Sequence, residues 1–286
     1  MYQSNIYEYL KEREVAKPLL ILCKDDKEAQ SVSDVASISG YQVSLLPDIR
    51  VSVGEDLRAY QDEIYTLFAT LSKYFHSDEN RLLVAPLRTM LLPLPKRELF
   101  GRKKIEFGDT IALQAFKEEL YHWGYHFVDI ASQSGEVSFR GDIIDIFPIN
   151  AESPYRISLF DEEVESIRHY DENSQKSFKE ELEEFEIIST YLALNAEQFE
   201  GWKNRSERSR YDTFVRDIDS LGLWHMEELT EEYFPLFETV SASDLSREIE
   251  EIYSLQEPCV SREYIPTAVI PAAKRYRDLE VVKPNA

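Results

Sequence analysis

The sequence predicts an α/β unit built on a parallel sheet, followed by an α+β domain with an antiparallel sheet. Before residue 100, short continuous apolar runs such as PLLILCKD (18–25) and RLLVAP (81–86) alternate with helical periodicity. That is the pattern of strands buried on both faces. After residue 124 the period changes to two. In EVSFR (136–140), Val137 and Phe139 alternate with Ser138 and Arg140; in YRISLF (155–160), Tyr155, Ile157 and Leu159 alternate with Arg156, Ser158 and Phe160. Strict alternation means a sheet with one covered and one wet face.

In the first unit, the run ending at Asp25 predicts a strand, and 26–38 predicts a helix that Gly40 closes. YQVSLL follows as a strand, stopped at Pro47-Asp48. Leu57, Ile64, Leu67, Phe68 and Leu71 recur at helical spacing over 55–75, and RLLVAP is the next strand. Strand–helix–strand order implies a parallel sheet.

A second unit starts near Gly101. Asp109 or Thr110 is placed to cap a helix carrying the stripe Leu113, Phe116, Leu120 and Trp123, which Gly124 ends. Trp123 is therefore expected in the core. The strands 136–140 and 155–160, joined through INAESP, are expected to pair as a hairpin with Arg140, Arg156 and Phe160 away from the core. Truncating either arginine is then expected to leave the fold nearly intact. The acid-rich stretch 161–186 reads as a solvated strand end and helix face. From about Ser189 the chain reads as helical, with WHMEELTEEYF and SASDLSREIEEIYSL. The expected domains are 1–100, 101–188 and 189–286.

Composition narrows the function. The chain has 286 residues, enough for about two domains, and is 43% hydrophobic, enough for a sizeable core. Its 54 acids against 32 bases give a formal charge of -22, a field that repels phosphates and anionic membranes. The visible basic patch is short: Lys96-Arg97 and Arg102-Lys103-Lys104. Cys23 and Cys259 make neither a disulfide framework nor a zinc site, and Cys23 reads as a buried thiol. The polar start MYQSNIYEYLKEREVAK has no signal-peptide core, and no apolar run is long enough to span a bilayer, so a cytoplasmic protein is expected. The Arg140-Gly141-Asp142 tripeptide is not an adhesion signal in such a chain.

Chemistry is hard to find. The nine glycines form neither G-x-x-x-x-G-K-[ST] nor G-x-G-x-x-G, loops in which glycine lets backbone N–H groups approach phosphate. His122 and His126 have metal-helix spacing, but Gly124 between them ends the helix, so no metal site is expected. Asp142 and Asp145 read as a turn carboxylate and a salt-bridge partner rather than as catalysts.

The segments GYHFVDIASQSGEVSFRGDIIDIFP and PYRISLFDEEVESIRHYDENSQKS carry a denser pattern. A G-E-x-x-x-R-G strand leads to D-x-F-P, then to R-x-x-x-F-D-[DE]-E, then to S-[ILV]-R-x-[FY]-D. The positions are Gly135, Glu136, Arg140, Gly141, Asp145, Phe147, Pro148, Arg156, Phe160, Asp161, Glu163, Ser166, Arg168 and Asp171. This resembles the second domain of the bacterial transcription-repair coupling factors (Mfd) and the related domain of UvrB. PLLILCKDDKEAQ, LPDIRVSVGEDL, QDEIYTLFATL and RLLVAPLRTMLLPLP resemble the family's first domain, so the similarity covers roughly 18–190.

The resemblance implies a UvrB-like module of domains 1A (1–100, a RecA-like remnant), 2 (101–188) and 1B (189–286). It implies that the ATP site is lost, leaving no cofactor, and that domain 2 docks the damage-recognition ATPase UvrA through Arg140, Arg156 and Phe160. The family's RNA polymerase-binding domain and its ATP-driven motor on double-stranded DNA are not found in these residues, so an N-terminal, non-catalytic fragment is expected. The alternatives are a degenerate RecA-like nucleotide-binding domain of a UvrB-like helicase, against which the missing phosphate loop counts, and a direct DNA-binding module, against which the charge counts. Arginine suits a docking role because its planar fork grips carboxylates while its stem packs on apolar surface. On residue type alone, plain pairing of Arg140 and Arg156 with the chain's own acids is the favoured reading, and the resemblance reverses that preference.

Overall fold

A computed structural model describes residues 2–13, 18–50, 57–77, 81–92, 94–193, 197 and 233–242. The chain divides into two compact units, residues 1–96 with 221–286, and residues 97–220.

The first unit is built on a parallel sheet in the order β11-β1-β3-β2, with β1 Leu19–Cys23, β2 Gln42–Leu45, β3 Arg81–Pro86 and β11 Glu238–Ser241. All five residues of β1 are buried, as a continuous apolar run requires of an inner strand. Around the sheet lie α1 (Tyr2–Glu12), α2 (Asp26–Ile38), α3 (Gln61–His76) and the single turn α4 (Leu87–Met90). Asp25 caps α2 by accepting from the Glu28 N–H at 2.9 Å, and Gly40, at φ +86, closes it as expected. Ile6 and Leu10 of α1 enter one core with Leu19, Ile21, Val32, Val84 and Val240. Arg13 and Glu238 pair at 2.5 Å, tying the end of α1 to β11.

The second unit holds two sheets. β4 (Phe100–Glu106) pairs antiparallel with β10 (Glu184–Leu192). The other sheet has the order β5-β6-β7-β8-β9: His126–Phe127, Glu136–Arg140, Ile143–Ile146, Tyr155–Phe160 and Glu163–His169. Its first pair is parallel and the rest antiparallel. With α5 (Leu113–His122) these sheets enclose one core that includes Phe116, Leu120, Trp123, Val137, Ile144, Ile157, Ile167 and Ile187.

The structure corrects several expectations. The strands 136–140 and 155–160 do not pair with each other, because IIDI forms β7 between them. Gly141, at φ +60, and Asp142 make a two-residue turn that reverses the chain at once. The helix α5 is capped by neither Asp109 nor Thr110 but begins after Ala112. Asp109 Oδ2 instead accepts from the Glu106 N–H at 2.8 Å, and Thr110 bridges to Glu163. No helix occurs in 161–186, which supplies β9, a turn region and the start of β10. Beyond 188, β10 continues to Leu192 and β11 joins the first sheet, while WHMEELTEEYF up to residue 232 and SASDLSREIEEIYSL from residue 243 lie outside the described residues. Among the described residues no helix is long and apolar enough to cross a membrane.

Candidate docking face

One face of the five-stranded sheet covers the core; the other is built by the alternate residues of each strand. The register lays Ser138, Asp145, Arg156 and Arg168 in a row across β6, β7, β8 and β9. Arg140 and Phe160 have the same strand parity, so the three predicted site residues share this face.

Asp145 lies at the centre and is 0% exposed. A buried carboxylate needs cationic or hydrogen-bonding partners, and two arginines provide them. Arg156, directly opposite on β8, donates Nε to Oδ1 at 2.6 Å and Nη2 to Oδ2 at 2.8 Å, a bidentate clamp. Its Nη1 donates to the Gln175 carbonyl at 3.0 Å and to Ser177 Oγ at 3.1 Å. Its guanidinium carbon stands 4.6 Å from the centroid of the Tyr170 ring. The bonds to Asp145 raise the Arg156 pKa further above its ordinary value. Tyr170 is fully buried and donates its hydroxyl to the Ala131 carbonyl at 2.6 Å; burial, helped by the Asp145 charge, pushes its phenol up.

Arg140 reaches Asp145 Oδ2 from β6 through Nη2. The two arginine side chains differ in exposure, 44% for Arg140 and 15% for Arg156. Phe160 is 74% exposed, and the αL conformation of Asp161, at φ +61, turns the chain immediately after it. Exposure of that size places the Phe160 ring outside the core. Sequence reasoning placed these three residues away from the core and read Asp145 as a salt-bridge partner, which it is, but missed that this one carboxylate joins both arginines and that Tyr170 lies under Arg156. The available signal was a lone carboxylate inside the apolar run IIDI.

Other features bear on the competing chemistries. Where a phosphate loop would precede α2, the helix start is occupied by carboxylates: Asp25 caps it, and Glu28 Oε2 accepts from the Lys24 N–H at 2.7 Å. The basic run of β4 faces acids, with Lys103 on Glu119 at 2.6 Å and Lys104 on Glu106 at 2.7 Å and Glu184 at 2.5 Å; Arg102 pairs with Glu186. Gly124, at φ +84, separates His122 on α5 from His126 on β5. Among the described residues no group of three or more His, Cys, Asp or Glu is arranged to hold a metal.

Residues 104–191, which contain the whole face, match the UvrB interaction domain family. The chain is 33% identical over 287 aligned positions to the transcription-repair-coupling factor of Helicobacter pylori strain 26695, covering 98% of this chain and 28% of that protein. The chain belongs to the transcription-repair-coupling factor family. The coupling factor of Bacillus subtilis is 30% identical over 169 residues (58% of this chain, 14% of that protein), and that of Escherichia coli K12 is 28% identical over 177 residues (61% and 15%). The chain thus spans little more than a quarter of the length of its Helicobacter coupling-factor relative.

Proposed function

We propose that this chain is the UvrA-recruiting module of a transcription-repair coupling factor, linking a stalled RNA polymerase to nucleotide excision repair in the cytoplasm. The observation that carries the reading is an exposed phenylalanine, Phe160, on the same sheet face as the half-exposed Arg140, inside the matched interaction domain. Aromatic residues and arginine are the types enriched at protein–protein interfaces. In this reading the face that carries Arg140, Arg156 and Phe160 docks UvrA, and residues 1–100 are a RecA-like remnant corresponding to domain 1A. Residues 101–188 correspond to domain 2 and 189–286 to domain 1B. The carboxylate-capped start of α2 and the acid-paired lysines of β4 support a role without nucleotide or DNA chemistry in these residues. Contacts with RNA polymerase, and ATP-driven translocation on double-stranded DNA, are assigned to the rest of the coupling factor.

The test is calorimetric titration of purified UvrA with this chain. A saturable complex is expected, and the Arg140→Ala, Phe160→Ala double variant, folded by circular dichroism, should lose most of the affinity. Wild-type affinity in that variant would remove the docking reading.

A further inference from the structure

Resting on the docking reading, the two arginines divide their work in a way their sequence positions do not reveal. A guanidinium has five N–H donors. Arg156 makes four hydrogen bonds inside the chain, two to Asp145 and one each to Gln175 and Ser177, and its plane lies over Tyr170. Little of it is left for a partner. Arg140, among the described residues, engages only Nη2, on Asp145, which leaves Nε and Nη1 open on the exposed side. The carboxylate that fixes both is itself inaccessible.

We propose that Asp145 is a positioning residue of the docking face: it locks Arg156 as an internal clamp and holds the open edge of Arg140 toward a carboxylate on UvrA. The physical gain is pre-organisation. A long side chain already held in its bound rotamer loses less conformational freedom on binding, and the strand-to-strand anchoring fixes its height above the sheet. An acidic partner group fits because the open donors of Arg140 match carboxylate geometry.

The experiment is a double-mutant cycle in UvrA titrations, using Arg140→Ala, Asp145→Asn and the double variant, with thermal melts alongside. Each single variant should weaken binding by about tenfold, and the double should be no more than about twofold weaker than Arg140→Ala alone. A merely structural Asp145 would lower the melting temperature without this coupling. Wild-type affinity for Asp145→Asn, or losses that multiply in full, would overturn the proposal. If Arg140→Ala alone bound UvrA like wild type, the docking reading would fail instead. Should Asp145→Asn not fold, or the docking reading fall, NMR order parameters of the Arg140 Nε–H in the free wild-type chain decide the matter. A rigid side chain supports positioning, and one as mobile as a solvated arginine refutes it.

Discussion

A Cβ placed on Gly101 would sit 2.6 Å from Cε2 of Trp123 and 2.8 Å from Cβ of Ala193. The backbone of β4 therefore lies directly against the indole, with no space for even a methyl group. Gly101→Ala should destabilise the second unit by about 1–3 kcal/mol through overpacking. A urea denaturation midpoint equal to wild type would show that the indole shifts freely.

Trp123 itself is only 8% exposed and packs in the core of the second unit. Trp123→Ala should cost about 3–5 kcal/mol. In that background Gly101→Ala should become nearly neutral, because the clashing ring is gone and the two sites are in contact. Undiminished destabilisation by Gly101→Ala would assign the strain to Ala193 instead.

The arginines should separate in stability measurements. The sequence expectation was that either could be truncated with little effect, and the burial of Asp145 changes that for Arg156. Arg156→Ala removes the bidentate partner of a carboxylate with no exposure, and should destabilise by about 3 kcal/mol or more. Arg140→Ala leaves that clamp in place and removes a half-exposed partner, so under about 1 kcal/mol is expected. Equal losses from the two substitutions in chemical denaturation would contradict the division of roles.

Much of the fold was legible because local and tertiary preferences agree. The run LLILC, with no polar residue, has to be an inner strand, and residues 26–38 emerge as α2 because Asp25 and Gly40 supply chemically distinct ends. The errors arose where tertiary pairing decided the outcome. IIDI is too short to announce itself beside two longer alternating strands, and its place between them depends on the Gly141-Asp142 turn. The acids of β10 resembled a solvated helix face, whereas Glu186 lies opposite Lys104 on β4 and pairs with Arg102, and Glu184 pairs with Lys104, contacts invisible to periodicity. At the proposed docking face, residue type and parity pointed to Arg140, Arg156 and Phe160. Which arginine faces inward was not legible, since it depends on Asp145 lying opposite Arg156 in the β7–β8 register.

Cys23 gives a pH-dependent prediction. Burial raises its thiol pKa, with the charges of Glu28 and Asp25 adding to the effect. The folded state therefore keeps the proton that an unfolded cysteine loses near pH 8.5. This contribution is complete below that pH and declines as pH rises above it. In a Cys259→Ser background, stability should fall between pH 7 and 9.5 more steeply for the chain with Cys23 than for Cys23→Ala. Identical slopes would mean that the thiol ionises as readily in the fold as outside it.

Phe160 offers the cleanest separation of folding from docking. Its ring is 74% exposed at the end of β8, opposite in parity to the core residues Ile157 and Leu159, so the fold gains little from it. Phe160→Ala should change unfolding free energy by no more than about 0.5 kcal/mol. On the docking reading the same substitution should weaken UvrA binding by about 2 kcal/mol, as loss of a central aromatic anchor does. Lys179→Ala, in the acidic stretch outside the proposed contact, serves as the control and should leave affinity unchanged. The comparison needs a denaturation curve and a titration for each variant. Loss of affinity with an unchanged curve places the ring in the UvrA contact. Unchanged affinity would leave Phe160 as an exposed aromatic without a partner there, and the docking face would have to lie elsewhere on the domain.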